Sequence, residues 1–339
     1  MRITEWTDGA ARWDEFVSEA ADGTVMHLYG WKSVCAEAYG HRTFYLAADE
    51  GRELRAVLPL VLVKGPLVVP HLVSVPYMDY GGVCGNGDEE AERALAERAV
   101  KLADEHGAKL VLRYLREPGL EMPVSHEKVT MFLDLGESES DLWDRLPGTR
   151  RNRIRKGQKS ALSVRFPDGE AVESFYRVFA TNMRDLGSPV HSLGFFREIL
   201  SQFPSSARLV LVEKDSQTVG SALMLVFKGI ISLPWISSLR PFFELCPNQV
   251  LYWSAMKWGI AEGHRVLDFG RSSRDSGTFE AKRQWGANPI PLYWHYWPAD
   301  AVPPGEDVKK LSWGVQIWQK LPLPVANRVG PWLRAGIPN

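Results

Sequence analysis

Two stretches of this chain lay out the same elements in the same order, and that repeat constrains the fold more than any single motif does. In the first half, helical spacing predicts a helix near 26–38, followed by strands at 43–48 and 54–63 around the turn Asp49-Glu50-Gly51. A further strand at 67–75, a helix over 88–106 stopped by Gly107 and a strand at 109–115 complete the half. In the second half, helices near 170–185 and 193–202 precede strands at 207–213 and 218–227, joined by Lys214-Asp215-Ser216. A strand at 231–238, a helix over 248–262 ending at Gly263 and the strand RVLDFG follow. A three-residue turn between long strands makes an antiparallel hairpin, and strand–helix–strand makes a parallel pair. The expectation is an α/β chain with two mixed-sheet lobes. The halves share no convincing residue-level identity, so the repeat is architectural.

The first lobe is expected over 1–135 and the second over 136–300, with the boundary near Gly136–Asp141, where VTMFLDL gives way to acidic and Ser residues. A Pro-rich segment then leads into a tail, 301–339, expected to pack back on a lobe. Its Trp313, Ile317 and Trp318 would also suit peripheral contact with a membrane surface.

Composition narrows the function classes. Forty basic residues against 41 acidic ones leave a net charge of −1, which argues against a generic nucleic-acid binder. The N-terminus has no basic region followed by an apolar run, and the most apolar stretch, 56–76, is interrupted by Lys64, Gly65 and four prolines. Cys35, Cys84 and Cys246 are far apart and form no CxxC, and the eight histidines include no HExxH. A cytoplasmic, metal-free protein with no bound cofactor is expected.

Chemistry concentrates in two places. In LPGTRRNRIRKGQKS (146–160), Arg150, Arg151, Arg153, Arg155, Lys156 and Lys159 stand without an acid. In a helix, Arg151, Arg155 and Lys159 share a stripe, and such like charges repel unless anions or packing offset them. The arginine fork suits phosphate, so this run reads either as a site for a phosphate-bearing partner or as a solvated basic face. In LDFGRSSRDSGTFEAKRQWGANP (267–289), a strand ends in a loop bearing Arg271 and Arg274, and a Ser/Thr-capped helix carries Lys282 about one turn in. Lysine there would stabilise the oxyanion formed when an amine attacks an ester or thioester; the plain alternative is a capped surface helix. The glycine-rich loop PYMDYGGVCGNG (76–87) lacks the phosphate-loop pattern and offers Asp79 alone as a functional side chain. Trp31-Lys32 reads as core plus a solvated lysine, and His191 and Glu244 as isolated structural residues.

Several runs resemble a known family. R-R-N-x-I-R-K-x-x-K (150–159) is similar to the basic helix opening the second lobe of FemAB-like proteins of the GNAT superfamily. So are P-N-x-x-L-Y-W-x-x-M-K-W-G (247–259), G-x-x-x-L-D-F-G-R-S (263–272) and F-x-x-K-x-x-W-G (279–286). The fit is closest to the branch associated with PEP-CTERM exosortase and exopolysaccharide loci. The resemblance implies tandem GNAT lobes and transfer of an amino acid from aminoacyl-tRNA to an envelope-precursor peptide. It places Lys282 at the acyl-transfer site, Asp79 in the first-lobe loop, and Lys32 in the place of a precursor-binding lysine. Two departures stand out. The Gly-rich pyrophosphate loop of coenzyme A-dependent acetyltransferases is missing between 238 and 248, and the coiled-coil arm of some FemAB enzymes is absent.

The leading expectation is an N-acyltransferase that moves an aminoacyl or acyl group to an amine on a phosphate-bearing envelope or exopolysaccharide precursor. The donor would be aminoacyl-tRNA or an acyl thioester. Lys282 and Asp79 are the expected catalytic residues, and Lys32, Arg151, Arg155, Lys156, Lys159, Arg271 and Arg274 the expected substrate contacts. The alternatives are an acyl-CoA or acyl-carrier N-acyltransferase and a non-catalytic module binding an anionic glycan or lipid-linked precursor.

Overall fold

The computed structural model describes residues 1–51, 53–65, 68–299, 301 and 312–338, which fall into two compact units. Unit 1 comprises Met1–Lys128, Pro291–Ser312 and Val329–Asn339; unit 2 comprises Val129–Ile290 and Trp313–Arg328. Unit 1 runs β1 (Arg2–Glu5), α1 (Ala10–Glu19), α2 (Trp31–Tyr39), β2 (Arg42–Glu50), β3 (Glu53–Gly65), β4 (Val68–Val73), α3 (Glu89–Glu105), β5 (Lys109–Tyr114) and β6 (Val124–Ser125). Unit 2 begins with β7 (Lys128–Asp134), α4 (Glu139–Arg145), α5 (Gly148–Lys159), β8 (Ser163–Arg165), α6 (Val172–Leu186) and α7 (Leu193–Gln202). It continues through β9 (Ala207–Lys214), β10 (Gln217–Phe227), β11 (Ile230–Ser238), α8 (Pro247–Ala261), β12 (Val266–Ser273), α9 (Gly277–Arg283) and β13 (Asn288–Pro291). β14 (Tyr293–Trp297), α10 (Ser312–Gln319) and α11 (Leu323–Ala335) close the described chain.

Each unit holds a seven-stranded mixed sheet. The orders are β1-β2-β3-β4-β5-β14-β6 and, read from the corresponding end, β8-β9-β10-β11-β12-β7-β13. The long hairpins β2–β3 and β9–β10 are antiparallel, while β4–β5 and β11–β12 are parallel pairs joined through α3 and α8. The sixth strand of each sheet is supplied by the other half of the sequence. β7, read as the end of the first lobe, lies beside β12, and β14, read into the second lobe, lies beside β5. The expected division at 135 and 300 is therefore corrected in these two strands. Alternation shows that a segment is a strand, but it does not show which sheet edge completes it.

Helical spacing accounts for the cores. Asp88 caps α3 by accepting from the Ala91 amide at 3.0 Å, and Ala91, Leu95, Ala99 and Leu102 then recur on one face buried against the first sheet. α8 is apolar on most sides because it lies between the second sheet and α5. The helix expected over 26–38 is broken into a single 3-10 turn at Val25–His27 and then α2. Two fully buried indoles hold that turn: Trp13 donates to the His27 carbonyl at 2.7 Å and Trp31 to the Val25 carbonyl at 2.8 Å.

Burial also makes unit 1 acid-sensitive. It pulls His27 and His41 down to about 4, so both stay neutral in the folded state through mildly acidic pH. Unfolded histidines take up protons near pH ~6.5, so this stability is complete above that value and is lost as pH falls toward about 4. Each histidine is expected to lower unfolding free energy by about 2 kcal/mol on going from neutral pH to about pH 5. Urea unfolding across that window checks this: His27→Asn should flatten the slope, and an unchanged slope would contradict the assignment.

Candidate functional site

In unit 2, β11 and β12 pair only where Ile230, Ile231 and Ser232 meet Val266, Leu267 and Asp268. Both strands run on, to Ser238 and Ser273, without further pairing to each other. The sheet opens there, at the carboxyl ends of the two strands. Asp268, 2% exposed, stands at the fork, where its carboxylate accepts from the Thr130 hydroxyl and from the Gly270 amide. Gly270 has φ 75°, a left-handed turn that glycine adopts without strain. The carbonyls of Gly270 and Arg271 then both accept from Lys282 Nζ, each at 2.8 Å.

α9 brings Lys282 to this point. Ser276 caps the helix by accepting from the Phe279 amide at 3.2 Å, with Glu280 in the first turn. Lys282 is half-buried, and its ammonium is fixed against the end of β12 instead of trailing in solvent. Arg271 is half-buried and Arg274 exposed in the loop between strand and helix.

The basic run forms α5 and divides into separate roles. Arg150 is buried. It donates to the Ala281 carbonyl (3.1 Å) and Gln284 Oε1 (2.6 Å), and it lies 5.3 Å from the centre of the Trp285 ring, so it braces α9. Desolvation lowers its pKa from a very high starting value, which leaves it charged. Lys156 pairs with Glu244 at 3.4 Å, and Arg155 lies over Trp143 at 5.1 Å. Among the described residues, no carboxylate lies within ion-pair distance of Arg151, Arg153, Arg155 or Lys159. Gly157 lets α5 approach α8, since a Cβ there would sit 2.4 Å from Val250 Cγ2.

In unit 1, the loop after β4 carries Asp79, half-buried, with its carbonyl accepting from Trp294 Nε1 at 3.1 Å. Arg113, fully buried on β5, donates to the Met78 carbonyl at 2.5 Å and to the Pro338 carbonyl at 2.9 Å. Its guanidinium is 4.3 Å from the centre of the Trp294 ring. Lys32 departs from the solvated lysine read from sequence: it donates to the Tyr29 hydroxyl at 2.9 Å and lies near the Tyr29 and Tyr45 rings.

Residues 148–283 match the Acetyltransferase (GNAT) domain family. This stretch is a GNAT domain. Among solved structures, FemX is 15% identical with a TM-score of 0.70, the alignment covering 92% of this chain and 100% of FemX. L-PGS from Bacillus licheniformis is 14% identical with a TM-score of 0.61, covering 98% of both chains. A tandem GNAT protein from the clavulanic acid biosynthesis pathway is 12% identical with a TM-score of 0.51, covering 87% of this chain and 98% of that one. No curated protein matches the sequence. These likenesses show a tandem GNAT fold.

Within the GNAT domain, the segment entering α8 is poorly suited to a pyrophosphate. Arg240–Leu245 forms a 3-10 turn without glycine, and Pro241 and Pro247 have no amide proton to offer. Glu244 places a highly exposed carboxylate near the start of α8, where an anion would otherwise be favoured. Among the described residues, no group of His, Cys, Asp and Glu could hold a metal ion, and no helix is long and apolar enough to cross a membrane. Sequence reasoning missed Asp268 and Arg113. Each was visible as a charge flanked on both sides by apolar residues, in VLDFG and LVLRYL.

Proposed function

We propose that the chain is a FemAB-type N-acyltransferase that moves an aminoacyl or acyl group onto an amine of a phosphate-bearing cell-envelope or exopolysaccharide precursor. The observation that carries this reading is the fork between β11 and β12, with Lys282 anchored at its β12 edge. A donor carbonyl seated in the fork would meet a pre-placed ammonium as its oxygen gains charge. An ester-linked donor is already activated, so the attacking amine can lose its proton to solvent without a dedicated base. The glycine-free, Glu244-bearing entry to α8 favours aminoacyl-tRNA over coenzyme A as donor. The likeness in fold to FemX and L-PGS is in keeping with this reading, and the 247–286 motifs underlie the exopolysaccharide assignment.

The test incubates the full chain with radiolabelled mixed aminoacyl-tRNA or with acetyl-CoA, together with envelope precursors extracted from a bacterial lysate, and follows label into amine-linked product. Transfer from aminoacyl-tRNA supports the reading. Transfer from acetyl-CoA alone would replace it with the coenzyme A alternative.

The phosphates of either substrate would rest on the uncompensated cations of α5. Replacing Arg151, Arg155 and Lys159 with Gln is expected to weaken binding of bulk tRNA or UDP-N-acetylglucosamine about tenfold and to flatten its salt dependence. Fluorescence anisotropy across a salt series measures this; an unchanged slope would show that α5 is only a solvated face.

A further inference from the structure

Unit 2 carries an open groove that the fork between β11 and β12 does not use. It encloses about 530 Å³ between α8 and β8, the edge strand of the second sheet. α8 starts just beyond the carboxyl end of β11 and runs back to the start of β12, so its last turns lie at the end of the sheet opposite the fork. β9 and β10 stand between β8 and β11.

Part of the lining is aliphatic and aromatic. Leu162, Val164 and Phe166 alternate through β8 and so share a face, and Phe166 remains 38% exposed there. On α8, Ser254, Lys257, Trp258 and Ala261 recur at three- and four-residue spacing, which puts them on one side of the helix. The centres of the Phe166 and Trp258 rings are 6.1 Å apart and the rings are 23° from parallel, so their faces share one direction. His264 packs on the Trp258 indole, with centres 5.4 Å apart.

The rest of the lining is polar and carries no net charge. Glu139 and Lys257, the two charged residues that line the groove, lie 4.0 Å apart and offset each other. The Gln158 amide and the Ser254 hydroxyl complete this part, and among the described residues neither side chain makes a hydrogen bond.

We propose that this groove binds a neutral saccharide. A pyranose ring has a flat face of C–H groups, which packs on aromatic rings, and a girdle of hydroxyls, which both donate and accept. The groove offers the same division, with near-parallel rings for the C–H face and carboxylate, amide, hydroxyl and ammonium for the hydroxyls. A fatty chain or an apolar peptide would displace water from those four polar groups and leave them unpaired, which costs free energy. An anionic ligand gains little from two opposite charges that already face each other. The inference does not rest on the transfer reading, since sugar binding requires no acyl transfer.

The test is isothermal titration calorimetry of the full chain with three neutral tetrasaccharides, cellotetraose, chitotetraose and maltotetraose, and with sodium decanoate as the apolar control. At least one sugar should bind, with an affinity indifferent to salt, in contrast to the anion binding expected of α5. Phe166→Ala should weaken that binding about tenfold while melting stays unchanged, and Phe166→Tyr should keep it. Gln158→Ala, at an exposed position on a different element, should weaken it about threefold and so guards against a local collapse around Phe166. The proposal is overturned if none of the sugars binds, if decanoate binds in their place, if either Ala variant binds like wild type, or if the affinity falls with salt.

Discussion

Lys282→Met is expected to lower acyl transfer by roughly 10²–10³, or about 3–4 kcal/mol of transition-state stabilisation, while the GNAT domain stays folded. Methionine keeps the length and packing of the side chain and removes the charge. The ammonium is clamped by the Gly270 and Arg271 carbonyls, so its position costs no reorganisation when an oxyanion forms. The same clamp means that the Met variant leaves two carbonyls without their donor, and melting is expected to fall modestly. Lys282→Arg separates the two effects: arginine can still bond the carbonyls, but its planar fork cannot hold a point charge in the same place. The reading predicts that Arg restores melting and only part of the rate. If the Met variant transfers at the wild-type rate with whichever donor supports transfer by the wild-type chain, Lys282 is a strut and the chemistry lies elsewhere.

The second large effect concerns stability. Arg113→Met is expected to cost about 4 kcal/mol, because a fully buried guanidinium that serves the Met78 and Pro338 carbonyls leaves both unsatisfied when removed. Its ring contact with Trp294 is lost as well. Urea unfolding reads the cost. The loop bearing Asp79 should also lose its fixed shape, so limited proteolysis near residue 79 should accelerate. A variant as stable as wild type would show that Arg113 is dispensable to unit 1.

Much of this architecture could be read from spacing. The hairpins, α3 with its Asp88 cap, α8, and the Ser276 start of α9 all follow from local pattern and turn chemistry, which act over a few residues. What escaped depends on contacts distant in sequence. The run 150–159 looked uniformly cationic, yet Arg150 turns inward to the 281–285 segment while Lys156 turns to Glu244. Arginine reaches far enough for its partner to decide its role, and the partner is more than a hundred residues away. Lys32 was misjudged for the same reason, because the Tyr45 ring beside it comes from β2. The break before α2 depends on indoles from α1 and α2 that meet only after folding. Lys282 was expected near the strand end from the local pattern together with the family resemblance, but its two carbonyl partners depend on the Gly270 turn held by Asp268.

The exchanged sixth strands have a consequence for biosynthesis. As the nascent chain leaves the ribosome, β1 to β5 can assemble, but the outer edge of β5 has no neighbour until residues 293–297 emerge. Meanwhile β7 is already waiting for β12, which is made well over a hundred residues later. For most of synthesis one sheet therefore carries an open edge, the kind of surface that recruits other chains. Neither half can be completed first, so the gene cannot be cut at its midpoint and its two products expressed as separate working modules. A recombination event that replaced one half with a distant relative's would have to supply matching edges to both sheets. Inheritance as an undivided pair is thus built into the pairing of β14 with β5 and β7 with β12.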